Sequence, residues 1–541
     1  MKTTRIHLLL LFILALGTFI ANNALLPADY MESRNLATAQ EMVATGNYLI
    51  PTMNGELRLE KPPLPTWIAA GVEHIFPGSL AAQRTATGLA GVLLLFFLYG
   101  TVLELSQRKN QAFYTGAILA TSYSVIMMAR NATWDIYCHA FMLMGIYFFI
   151  KGCRQTGKQY GYFIGAGIGW GLSFLAKGPV SFYALLLPFL IAFFITYRPS
   201  LRGKGVPILI ALLLTVTLSG AWPLYIMLHE QDTLLAITKK ETGAWTGHNV
   251  RPWYYYKLFF VEAGIWSLFW LTALGYGLFH SKFKMNRSTQ FFLLWTIGSL
   301  LLLSVVPEKK TRYLLPLLIP GAANMGAYWE YIMSHHLRKK GDRFWFHLNT
   351  GVLLLVFLAI PPLSYFVIYK EGLIDGVFWG FIAGFFLLCA FLLLFALVRK
   401  EPRRGLIFST LIGAMVAVTT LFLIPAKRVF INTDRHSIRE LRGVKEWNEY
   451  SFYHPESEFL RMELVYESNR IIRPLNTQNL SEVTRHLPFI LVSTQPIPEV
   501  LPTDSLRITP IGTYDNNWRQ PDHKRYNMDL VKEVALIEAR N

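Results

Sequence analysis

The chain of 541 residues is 53% hydrophobic, 14% aromatic and only 16% charged, a composition that excludes a disordered or ordinary soluble protein and leaves a polytopic membrane protein. Its 51 Lys and Arg against 34 Asp and Glu give a formal charge of +17; membrane topology accounts for that surplus, and no nucleic-acid partner is expected. The three cysteines, Cys138, Cys153 and Cys389, fall in or at the ends of apolar stretches, which excludes a disulfide framework or a CxxC metal site.

A crossing helix needs about 20 mainly apolar residues. About thirteen such stretches occur, centred near residues 16, 91, 120, 142, 168, 187, 216, 267, 297, 322, 358, 385 and 415. The first follows Lys2 and Arg5, and the Ala-Asn-Asn-Ala after it is a poor cleavage site, so it reads as an uncleaved first helix. Between it and the second stretch, residues 29–67 carry Asp29, Glu32, Arg34, Arg58, Glu60 and Lys61. Within that segment Leu36, Met42 and Val43 fit one face of a helix over 33–45 resting at the membrane surface.

Lys and Arg gather in alternate loops, at 108–109, 151–158, 198–204, 282–287, 338–343 and 399–404. The positive-inside bias puts these loops and the N-terminus in the cytoplasm. Segments 27–79 and 229–253 are then the long outer loops, and an odd number of crossings places the C-terminal part outside. One outer connection, VPEKKTRY at 306–313, breaks the bias and marks a place to seek function. Beyond residue 426 the sequence turns polar, with alternating runs such as FILVST at 489–494 and LRITPIG at 506–512. These predict a membrane domain over 1–426 and an extracytoplasmic α+β domain over 427–541.

Polar residues fit for chemistry collect on the outer side. Glu32 and Asp29 are candidate general bases, and Asp135 opens the fourth span. Arg34, Arg58, Lys61, Lys177, Lys309, Lys310 and Arg312 are candidate anion ligands. Acids and cations at one membrane face suit glycosyl transfer from a polyprenyl phosphate sugar: cations stabilise the departing phosphate while a carboxylate receives a proton or orients the acceptor. Such chemistry needs no nucleotide cofactor. Each residue also has a plainer reading. Glu32 and Arg34 form a surface ion pair, Lys177 anchors a helix end, the lysines of 306–313 snorkel outward, and Trp134, Trp253 and Tyr254 belong to an interfacial belt.

The segment ESRNLATAQEMVATGNYLIPTMNGELRLEKPPLPTW resembles the first outer loop of the 4-amino-4-deoxy-L-arabinose lipid A transferases, relatives of the protein O-mannosyltransferases with the GT-C fold. GHNVRPWYYY at 247–256 and PEKKTRYLLP at 307–316 resemble further elements of that family. The resemblance implies a GT-C membrane enzyme with a polyprenyl phosphate sugar donor and a glycolipid acceptor, in the bacterial inner membrane. It also implies that Lys61 and Arg34 hold the lipid phosphate, that Asp135 is a second active-site acid, and that Tyr313 with Lys309 or Lys310 lies by the donor headgroup. Glu60 and His248 match positions that hold zinc. Where the family usually carries a catalytic aspartate this chain has Met31, leaving the base role to Glu32, to Asp29, or to an acceptor that needs little base. The sister reading has a protein hydroxyl as acceptor. A lipid flippase or transporter is the rival from another class, but transporters set ionisable groups near the midplane, whereas here the acids lie outside the spans.

Overall fold

A computed structural model describes residues 2–247, 249–280, 286–335, 339–399, 402–433, 435–501 and 505–540. The chain divides into two compact units: residues 1–23, 59–65 and 84–425 in one, residues 24–58, 66–83 and 426–541 in the other.

The first unit is helical, and a helix stands at every one of the thirteen apolar centres. Among the described residues nine helices are long and apolar enough to cross a membrane, from Lys2–Ile20 to Arg404–Pro425. A tenth counts if Lys109–Ala120 and Tyr123–Ala129, bent by 68°, are one span. The bend has a local cause. The hydroxyls of Thr121 and Ser122 turn back to the carbonyls of Ala117 and Ile118, both at 2.7 Å, competing with the helical ladder where it breaks. The other three centres fall on Tyr160–Lys177, Phe182–Tyr197 and Leu315–Ser334.

One helix pair matters most for function. Asp135–Arg154 and Tyr160–Lys177 are joined by a short turn and run against one another. A Cβ at Gly169 would lie 2.6 Å from the Gly145 nitrogen, so only glycine permits this approach. Such packing brings the amino end of the first helix beside the carboxyl end of the second. Those ends carry Asp135 and Lys177, each at the helix terminus its charge favours.

The second unit holds a five-stranded sheet of β3 (Ser451–Pro455), β4 (Ile472–Leu475), β5 (Phe489–Ser493), β6 (Leu506–Asp515) and β7 (Val531–Ala539), in the order β4-β3-β5-β7-β6. β3 is parallel to β4 and β5, while β7 is antiparallel to β5 and β6. Phe489, Leu491, Leu506 and Ile537 form its core with Tyr453 and Val483. Both alternating runs seen in the sequence are strands here, β5 and β6.

Helix Tyr30–Thr45 belongs to this unit and packs on Met462–Ser468. Leu36 and Met42 are each 1% exposed. The face expected to rest on the membrane surface is thus covered by protein, because the partner helix offers it an apolar seat.

Beneath the sheet Lys532 is fully buried, with Glu458 at 2.9 Å as its counter-ion. Glu458 also accepts from Ser493 Oγ at 2.8 Å and the Thr494 N–H at 2.7 Å. Burial works against the Glu458 charge, but Lys532 and these donors win and hold its carboxyl below the ordinary value. Its stabilising contribution is therefore complete above the unfolded carboxylate range and is lost as pH falls through the lower folded value. Replacing Glu458 by Gln strands a buried ammonium, so a loss of about 3–5 kcal/mol is expected in denaturant unfolding of the full chain. A loss under about 1 kcal/mol would match an exposed pair instead.

Candidate active site

Asp135 is 3% exposed and its carboxylate is in direct contact with the Lys177 ammonium. Arg312 stands close enough for its charge to act on Asp135. Tyr313 supplies a shared platform: its ring centroid lies 5.2 Å from Lys177 Nζ and 5.6 Å from Lys310 Nζ. Glu308 ties the far side together, accepting from Lys310 Nζ at 2.7 Å and from Tyr313 Oη at 3.2 Å. Burial and the Glu308 charge push the Tyr313 hydroxyl well above its usual range, so it stays a donor. Three cations meet two carboxylates, which leaves one positive charge in excess. A phosphodiester carries one negative charge.

The two lysines of the loop differ in role. Lys309 is 3% exposed, and its ammonium donates to the carbonyls of Arg251 (3.1 Å) and Val306 (2.5 Å). Burial lowers its pKa. It pins the segment after residue 249, where Val250 bridges Glu308, whereas Lys310 faces Tyr313. Sequence reading could not separate the two because both occupy one loop.

Glu60 and Lys61 stand in the 59–65 segment of this same unit, both partly buried. His248 lies outside the described residues. Among the described residues no three His, Cys, Asp or Glu side chains gather to hold a metal. Trp253 and Tyr254 are exposed, as a belt requires, but Trp134 is 2% exposed and belongs to the interior.

The remaining candidates lie in the second unit. Asp29 is the N-cap of Tyr30–Thr45, its carboxylate accepting from the Glu32 N–H at 2.9 Å. Glu32 occupies the first turn of that helix and is fully buried. Arg34 is half-buried; Arg58 is 5% exposed and its guanidinium donates to the Arg34 carbonyl at 3.2 Å and to Thr38 Oγ1 at 2.8 Å. One turn of helix and one arginine are thereby fixed to each other.

Glu41 was not singled out from sequence, yet it organises this region. Its carboxylate accepts from Thr52 Oγ1 at 2.8 Å, the Gly55 N–H at 3.1 Å and the Asn54 N–H. It grips the two-residue turn of a hairpin between β1 (Thr52–Met53) and β2 (Glu56–Leu57). Asn54 and Gly55 both have positive φ, 57° and 79°, which explains the Asn-Gly pair. The Asn54 amide then bonds both backbone groups of Ile472 on β4, at 2.7 Å each. Much of the Pro-x-x-Asn-Gly pattern is therefore scaffold. Glu308 also escaped notice, since only the cations of VPEKKTRY were weighed.

The dolichyl-phosphate-mannose-protein mannosyltransferase family model matches residues 60–222. An uncharacterized protein of Aquifex aeolicus is 27% identical over 330 residues, 61% of this chain and 64% of its own length. The undecaprenyl phosphate-alpha-4-amino-4-deoxy-L-arabinose arabinosyl transferase 2 of Pseudomonas fluorescens is 29% identical over 311 residues, 55% of this chain and 51% of the relative. The chain thus spans about half to two thirds of the length of these curated relatives. A crystal structure of ArnT from Cupriavidus metallidurans bound to undecaprenyl phosphate shares the fold at a TM-score of 0.72, covering 98% of this chain and 97% of that one at 15% identity. In sequence, then, this chain is similar to the 4-amino-4-deoxy-L-arabinose arabinosyl transferases, and it shares the fold of ArnT.

Proposed function

We propose that the protein is a membrane glycosyltransferase that moves a sugar from a polyprenyl phosphate, such as undecaprenyl phosphate, to lipid A or another envelope glycolipid on the outer face of the inner membrane. The observation that carries this reading is the cluster of Lys177, Lys310 and Arg312 around Asp135, Glu308 and Tyr313, which has one positive charge in excess. It is supported by relatives named as arabinosyl transferases and by the likeness to a protein crystallised with undecaprenyl phosphate.

In the proposed reaction an acceptor oxygen attacks the anomeric carbon as the bond from that carbon to the phosphate oxygen breaks, its electron pair leaving with the phosphate. Charge on the phosphate rises from one negative toward two, so cations held in place beforehand favour the transition state over the bound donor. Glu32 takes the proton of an acceptor hydroxyl; a phosphate acceptor would require only orientation. No step here passes through a metal. Cytoplasmic N-terminus and outer C-terminal unit follow from the distribution of Lys and Arg.

The mannosyltransferase model over residues 60–222 favours a second reading, with a protein hydroxyl as acceptor. Mass spectrometry of envelope glycolipids and glycoproteins, with and without the gene, separates the two. The expected result is a pentose- or hexose-type increment on a glycolipid that disappears with the gene. Loss of an increment from glycoproteins alone would favour the second reading. No change in either pool would sink both.

A further inference from the structure

The helix that carries Asp135 at its amino end carries Arg154 at its carboxyl end. Twenty residues of helix span about 30 Å, the hydrocarbon thickness of a bilayer, so the two ends reach opposite membrane faces. Arg154 lines a pocket of about 820 Å³ with Lys158, Arg202, Lys204 and Arg287, and no acidic side chain lines it among the described residues.

Two of these cations are fixed by backbone carbonyls, Lys204 in the buried floor and Arg287 at the exposed edge. Lys204, 6% exposed, donates to the carbonyls of Gly152 (2.8 Å), Cys153 (2.6 Å) and Gln155 (2.9 Å) at the end of helix Asp135–Arg154. Arg287 donates likewise to Thr196 (2.8 Å) and Tyr197 (2.9 Å) at the end of Leu187–Tyr197. Carbonyls satisfy their hydrogen bonds but do not cancel their charges. Arg154 has one carboxylate nearby, Glu104 at 3.5 Å. Lys158 and Arg202 are exposed and make no ion pair among the described residues. The amino ends of helices Gly205–His229 and Arg287–Val305 open on the same pocket, adding partial positive charge.

Its wall is apolar. Phe193 is buried there, and the Tyr197 ring centroid lies 5.9 Å from the Arg154 guanidinium and 5.0 Å from that of Arg287. Cations beside rings at the end of a membrane-spanning bundle match a phosphate joined to a hydrocarbon body, not a fully hydrated ion. We infer that this pocket binds the phosphate headgroup of an anionic phospholipid in the leaflet opposite the Asp135 cluster. Lys204 fixes the floor, Arg287 stands at its edge, and Lys158 and Arg202 close over the phosphate.

The test uses the full-length protein in nanodiscs and in detergent. Native mass spectrometry and thermal unfolding are read with phosphatidylglycerol, with phosphatidylcholine, and with glycerol phosphate as the soluble anion. Expected are retained phosphatidylglycerol and a higher melting temperature than with phosphatidylcholine. The double variant Lys158→Gln/Arg202→Gln should bind phosphatidylglycerol about thirtyfold more weakly, from about 1 kcal/mol per cation. Arg403→Gln, a basic residue outside the pocket, should bind as the parent does. The inference is overturned if the double variant retains phosphatidylglycerol as well as the parent, if phosphatidylcholine binds equally, or if glycerol phosphate stabilises the protein and phosphatidylglycerol does not.

Discussion

Glu32→Gln is expected to lower the rate of sugar transfer about 100- to 10,000-fold, the usual contribution of a positioned general base, while donor lipid still binds. Glu32 is fully buried in the first turn of Tyr30–Thr45, where the helix dipole favours a carboxylate over its amide. Gln keeps the shape and removes the proton acceptor. Asp29, the other candidate, has a task that needs no charge: capping the helix through the Glu32 N–H. Asn caps as well as Asp. Asp29→Asn should therefore preserve both fold and turnover, and Asp29→Ala should cost about 1 kcal/mol of stability. Single-turnover transfer from a radiolabelled polyprenyl phosphate sugar, with donor binding measured separately, distinguishes the cases. Full activity in Glu32→Gln together with loss in Asp29→Asn would reverse the roles; full activity in both would point to an acceptor already ionised.

The membrane helices were legible because hydrophobic length is a local property: each apolar centre, from residue 16 to residue 415, needed only its own neighbours to be recognised. Strands β5 and β6 were legible for the same reason, β5 as a short run of apolar residues and β6 by the alternation at its start. What stayed hidden depends on partners distant in sequence. Nothing near residues 30–45 says that this helix is seated on Met462–Ser468, nor that Asn54 will pair with Ile472. Glu41 looks like any helical glutamate until the hairpin folds back on it. Asp135 and Lys177 were both picked out as single residues, but their contact required the glycine-lined packing of two helices. Lys309 and Lys310 carry equal weight in sequence and unequal roles in space, because successive residues of an extended segment face opposite ways.

Asp135 and Lys177 offer the second large effect, and a way to divide packing from chemistry. Either single change, Asp135→Asn or Lys177→Met, breaks a buried pair and leaves one charge uncompensated, at an expected cost of about 3–5 kcal/mol in stability. Removing both together should restore most of that loss, since no charge is then stranded. Were the pair merely structural, the double variant would also recover transfer. If Lys177 instead binds the donor phosphate, the double variant folds but lacks a charge-assisted hydrogen bond worth about 1.5–3 kcal/mol. Its KM for donor lipid should then rise about 10- to 150-fold. Tyr313 sharpens the comparison, because both Lys177 and Lys310 lie against its ring. Lys310→Met leaves the Asp135 pair intact, so it should raise donor KM without the stability loss of the single changes. A stable double variant with parental KM would remove Lys177 from the phosphate site and leave Lys310 and Arg312 to carry it.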